Sequence, residues 1–241
     1  MSEMNHGVVD AVALAARWRR VRDRVERACA SAGRGPNSVR LIAVSKFHPA
    51  AAIRALYAVG QREFGENYAQ ALVAKREELA DLPELRFRMI GHLQRNKVRQ
   101  VVHTHTTVDS VDSAALGAAL SKRASEAGLM LPVLVQVNIG EEPQKAGAMP
   151  AELPLLLSEL AELPALRVTG LMAIPPDGHG HPEKVRPHFR RLAQLANQHR
   201  LPELSMGMSE DLEVAVSEGA TMVRVGTAIF GPRLEGDARL S

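Results

Sequence analysis

The chain has 241 residues, 46% hydrophobic and 24% charged, with a formal net charge of +3 and a single cysteine, Cys29. One cysteine excludes an internal disulfide framework or a cysteine-based metal site, and it suits a reducing cytosol. Aromatic content of 3% leaves too few stacking platforms to make nucleic-acid binding the leading class. No apolar run approaches the ~18 residues of a membrane span, and a start carrying Glu3, His6 and Asp10 does not read as a signal peptide.

Apolar residues at Val8, Val12, Ala15, Trp18, Val21, Val25 and Ala28 recur at helical spacing. They predict a helix over 8–30 whose Arg17, Arg20, Arg24 and Arg27 form a solvated face beside Asp23 and Glu26. Gly33-Arg34-Gly35-Pro36 ends it. Strand-like and helix-like segments then alternate. Strands are predicted at 40–45, 62–65, 86–91, 106–110, 132–138, 167–172, 203–207 and 221–226. Helices are predicted near 49–59, 67–80, 95–102, 112–127, 150–161, 183–199 and 210–218. Eight strands alternating with helices imply parallel βα units, and the length suits one domain. The expected architecture is α/β, a single (β/α)8 TIM barrel over 1–241, with an open doubly wound sheet as the alternative.

The first strand draws attention because Leu41-Ile42-Ala43-Val44 is a run suited to burial on both faces, and Lys46 follows at its C-terminal end. Pro49 opens a helix that Gly60 stops. A lysine at the mouth of a βα unit can condense with a carbonyl compound if its amine is neutral. An ordinary solvated lysine is the competing reading.

In a barrel, function belongs at the C-terminal strand ends, and phosphate is often held by the loops after strands seven and eight. Those loops carry Gly207 and Ser209, then Gly226 and Thr227: glycine for close backbone approach, hydroxyls for hydrogen bonds. Ser209 also reads as the N-cap of a helix beginning at Glu210, and simple turns and caps remain the bland alternative. Glu210 and Asp211 disfavour an anion beside them, so phosphate belongs toward the serines and the 226–227 amides. A lysine at strand one with such a cradle suggests a phosphorylated aldehyde spanning the mouth, and pyridoxal phosphate fits. Arg224, a donor that never accepts, either faces a pyridine nitrogen and keeps it unprotonated or binds the phosphate or a helix end. His103 with His105 and His179 with His181 read as surface histidines rather than metal ligands, since no cysteine or suitably spaced carboxylate joins them. Serine-triad, Walker and Rossmann patterns are absent.

Six motifs together carry a resemblance. They are Ala43-Val44-Ser45-Lys46, Phe64-Gly65-Glu66-Asn67-Tyr68, Ile90 to Lys97, Gly170-Leu171-Met172, Ser205 to Asp211, and Val223 to Gly231. In this order, over nearly the whole chain, they are similar to the pyridoxal phosphate homeostasis protein family, related to the N-terminal barrel of alanine racemase. The resemblance implies a fold-type-III barrel with pyridoxal 5'-phosphate as a Schiff base on Lys46. It implies Arg224 at the pyridine nitrogen, Ser205, Met206, Gly207, Ser209, Gly226 and Thr227 around the phosphate, and Asn67 lining the pocket. Phe47-His48, Ala71 and Ala146 depart from the family pattern.

The implied role is a non-catalytic cytoplasmic carrier that buffers the cofactor, with pyridoxal-phosphate-dependent apoenzymes as acceptors and no nucleic-acid or membrane partner. A racemase or decarboxylase is the alternative, and a cofactor-free barrel enzyme acting on a phosphosugar is a third. Only Gly231 to Ser241 follow Phe230, too few for the second domain that completes a racemase site, so a monomer is expected.

Overall fold

The computed structural model describes residues 9–231. Asp10 starts α1 (Ala11–Ser31), its carboxylate accepting from the Ala13 amide at 2.9 Å. The chain then runs β1 (Arg40–Val44), α2 (Ala50–Ala58), β2 (Glu63–Glu66), α3 (Ala69–Glu78), β3 (Arg86–Met89), α4 (Val98–Val101), β4 (Thr106–Val111) and α5 (Ala114–Glu126). It continues with β5 (Leu131–Gln136), α6 (Leu153–Ala161), β6 (Leu166–Met172), α7 (Arg186–Gln198), β7 (Glu203–Ser205), α8 (Leu212–Ser217), β8 (Met222–Val225) and α9 (Thr227–Phe230). Each strand pairs in parallel with the next, and β8 pairs with β1, Leu41 opposite Val223, to close the barrel. The barrel reading holds and the open sheet does not.

Strand periodicity sorts the residues into two environments. Ala43, Phe64, Phe87, Met89, Val133, Val135, Leu171 and Val223 face outward into the main core beneath the helices. Ile42, Leu134, Met172 and Met222 form a separate small cluster inside the ring. Toward the strand starts the interior is charged. Arg88 Nε donates to the Asp109 carboxylate at 2.9 and 3.1 Å, and its Nη1 to Glu63 at 3.0 Å. Arg40 bonds both Glu63 and Glu203. An apolar tier thus sits above a polar one along the axis.

Three local expectations change. Val12 is 82% exposed, because the buried face of α1 is Leu14, Ala15, Trp18, Val21, Val25, Ala28 and Cys29. Val8 lies outside the described residues. Helix α8 begins at Leu212, so Asp211, not Ser209, occupies the cap position; the Asp211 carboxylate accepts from the Met208 amide at 2.5 Å and ties the turn together. The last loop is no plain turn, for Thr227–Phe230 winds into the short helix α9.

Candidate functional site

The inward phase of β1 runs Ile42, Val44 and then Lys46, which is half-buried just past the strand end. The same phase on β2 gives Gly65 and then Asn67, on β7 Ser205, and on β8 Met222 and Arg224. Strands β7, β8, β1 and β2 are consecutive neighbours around the ring. Lys46, Asn67, Ser205, Gly207, Ser209, Arg224, Gly226 and Thr227 therefore share one sector of the C-terminal mouth. Met206 is the exception: its side chain is fully buried in the outer core, so only its backbone is available there.

On the outward side of the same strand ends lies a buried polar knot. Ser45 Oγ donates to Glu66 Oε1 at 2.6 Å, and Lys75 Nζ of α3 donates to that oxygen at 2.6 Å and to the Ser45 carbonyl at 2.7 Å. Glu66 is fully buried and Lys75 only 9% exposed. The Lys75 ammonium thus fixes the peptide immediately preceding Lys46. Asn67 is located by backbone contact: a Cβ at Gly91 would collide with the Asn67 carbonyl oxygen, so only glycine allows the segment after β3 to approach so closely. Ser110 Oγ in turn donates to the Gly91 carbonyl at 2.7 Å.

Arg224 is held rigidly. Its Nη1 donates to Ser205 Oγ and its Nη2 to the Ala173 carbonyl, both at 2.9 Å. Burial pushes its pKa down to about 10, with Asp109 and Asp211 opposing that shift, so the group stays cationic at neutral pH.

The two glycine-bearing loops are shaped by their own residues and by α1. Gly207 takes φ +93, and a Cβ there would lie 2.5 Å from that of Ala215, so the turn requires glycine. Arg24 of α1 donates to the Ser209 carbonyl at 3.0 Å and grips the Glu213 carboxylate at 2.9 and 3.0 Å. Arg17 donates to the Ile229 carbonyl at 2.7 Å. The solvated arginine face is therefore half right: Arg20 and Arg27 are exposed, whereas Arg17 and Arg24 fasten α9 and the turn before α8. His48 stacks on Phe230 at 4.6 Å, and Phe47, with φ +66, packs 5.9 Å from Tyr68, so the Phe47-His48 departure builds part of the rim.

Other strand-end residues stand apart. Asp109 is drawn inward to Arg88. Asn138, Glu142 and Lys145 bond mainly among themselves, with Lys145 also reaching the Pro175 carbonyl. The His103 and His105 rings lie 6.4 Å apart, and no metal-holding group of three or more His, Cys, Asp or Glu occurs among the described residues.

The family model for the N-terminal domain of alanine racemase matches residues 9–233. The chain is 43% identical over 223 residues to the pyridoxal phosphate homeostasis protein of Aquifex aeolicus, covering 90% of this chain and 97% of that one. The chain belongs to the pyridoxal phosphate homeostasis protein family. Another member, from Pseudomonas aeruginosa, is 45% identical over 218 residues, with 89% and 93% covered. PipY of Synechococcus elongatus PCC7942, solved with PLP bound, aligns at a TM-score of 0.78 and 43% identity over 90% of this chain and 100% of that one. Among the described residues no helix is long and apolar enough to cross a membrane.

Proposed function

We propose that the chain binds pyridoxal 5'-phosphate at the C-terminal mouth, covalently through Lys46, and carries and buffers the cofactor rather than turning over amino acids. The observation that carries this reading is the convergence of Lys46, Arg224 and the two glycine-hydroxyl loops on adjacent strands. The pyridoxal phosphate in the name of the Aquifex aeolicus relative and the PLP bound in the PipY structure support the same reading.

The residues present fit the group. Asn67 Oδ1 is buried without a hydrogen-bond partner among the described residues, an acceptor left for a ligand donor. Ser209, Thr227 and the backbone at Gly207 and Gly226 supply neutral donors for a phosphate, and Met206 contributes its main chain. Ser205 accepts from Arg224 and so aims the guanidinium. When bound, the cofactor supplies an electrophilic aldehyde and an electron-withdrawing ring. Arg224 would offer that ring nitrogen donors only, which would leave the nitrogen unprotonated and the ring a weak electron sink. Lys75 and Glu66 hold the backbone from which Lys46 reaches the mouth.

The chain acts as one cytoplasmic barrel domain and as a monomer, passing cofactor to apoenzymes, with neither nucleic acid nor membrane as a partner. Borohydride reduction of the cofactor-treated protein followed by peptide mass mapping tests the core of this reading. The pyridoxyl mass is expected on the Lys46 peptide; its recovery on Lys97 or Lys145 instead would refute the assignment.

A further inference from the structure

We propose that the opposite, N-terminal mouth of the barrel is a binding site for a small multivalent oxyanion, a phosphate ester or polycarboxylate. A cavity of about 310 Å³ opens there, lined by the first residues of β1 to β7. That is room for roughly ten water volumes at ~30 Å³ each, the size of a small phosphate ester or tricarboxylate.

The lining carries four arginines, Arg40, Arg86, Arg88 and Arg167, against two glutamates, Glu63 and Glu203. Both glutamates are already committed. Glu63 bonds Arg40 and Arg88, while Glu203 bonds Arg40 and the Thr169 hydroxyl. Arg86 and Arg167 lie exposed at the rim and have no side-chain hydrogen bond or ion pair among the described residues. Arg88 is 4% exposed, and its Nη2 is buried with no hydrogen-bond partner among the described residues. An unmatched buried donor such as Arg88 Nη2 costs free energy in a plug built for stability alone. Arg88 is matched by Asp109 and Glu63, so the surplus charge is that of Arg86 and Arg167, whose guanidinium forks at the rim of the polar concavity have the geometry that takes paired carboxylate or phosphate oxygens. Thr104, Thr106 and Thr107 add hydroxyls, and Pro132 is the one apolar residue of the lining. An apolar ligand therefore has little to bind. The recessed position focuses the positive field on an entering anion.

Isothermal titration at matched ionic strength, with inorganic phosphate and with citrate as probes, tests this in the full chain and in R86Q/R167Q. Arg86 and Arg167 sit outside every ion pair among the described residues, so the variant is expected to fold, and its thermal melt checks that. The parent should bind one of the probes saturably, and R86Q/R167Q should bind it about tenfold or more weakly. Tighter binding of phosphate marks a phosphate ester as the natural ligand, and tighter binding of citrate marks a polycarboxylate. Absence of saturable binding in the parent, or parental affinity in R86Q/R167Q, would overturn the proposal.

Discussion

Lys75 shows how much one residue can organise. It sits one turn after Leu72 on the buried phase of α3, and its ammonium is spent on Glu66 and the Ser45 carbonyl. Replacing it with methionine strands the Glu66 carboxylate in the core, an uncompensated buried charge that costs about 3–5 kcal/mol. Urea unfolding of K75M should register that loss. The double variant K75M/E66L should recover most of it, since removing both partners abolishes the unpaired charge. A double variant as unstable as K75M would mean that packing, not charge, dominates there. Nearer the mouth, S209A/T227V should weaken cofactor affinity roughly tenfold or more per hydrogen bond to phosphate removed, read by equilibrium dialysis with pyridoxal phosphate. Unchanged affinity would place the phosphate elsewhere.

At the level of elements, α1 clamps the site from outside. R24A removes both the grip on Glu213 and the bond to the Ser209 carbonyl. The pair is part-exposed, so stability should fall by less than about 1 kcal/mol, while cofactor binding should weaken because the 207–211 turn loses its anchor. Equal losses in a chemical melt and in affinity would argue against a positioning role. A second junction, α7 against the end of α8, carries a pH signature. Hydrogen bonds from Arg190 and then Arg186 hold the Glu218 carboxyl below its ordinary value of 4.5. A depressed folded pKa stabilises the protein fully above the unfolded value, and that contribution is lost as pH falls through the folded one. E218Q should therefore flatten the decline of the urea midpoint below pH 4.5.

These elements also mark what the sequence made legible. Apolar runs punctuated by proline and glycine located all eight strands to within about two residues, because a barrel strand buried on both faces leaves a contiguous signature. The roles of Arg17 and Arg24 were hidden, since their partners lie 212 and 185 residues away and local spacing sees only a polar helix face. Lys75 left a fainter trace, a cation on the apolar phase of its helix. The four arginines of the N-terminal mouth become neighbours only when the ring closes, and α9 was missed because no capping residue announces four helical residues after a strand.

For the whole molecule, the carrier reading predicts negligible α-proton chemistry. Racemisation needs an acid or base on each face of the substrate, and in the proposed site Lys46 would serve one. Of the chain's two tyrosines, Tyr57 lies under Arg62 at 4.0 Å, and Tyr68 rests against Phe47 on the rim. Deuterium exchange at the α-carbon of alanine and serine, with cofactor-loaded protein in heavy water, should run far below the ~1 per second of ordinary enzymes. Exchange at that rate, abolished by K46A, would make the protein an enzyme. The closed ring has one more consequence, which concerns the order of synthesis. Strand β1 pairs with β8, and α1 packs on α8 and α9, so the first-made elements wait for the last. Arg24 leaves the ribosome 185 residues before the carbonyl it will bind, a delay of roughly 10–40 s at ~5–20 residues per second. Throughout that interval the growing chain carries an unpaired strand edge and an uncovered apolar helix face. These are the surfaces that a chaperone would shield, and the Lys46 mouth is the last part of the barrel to be completed.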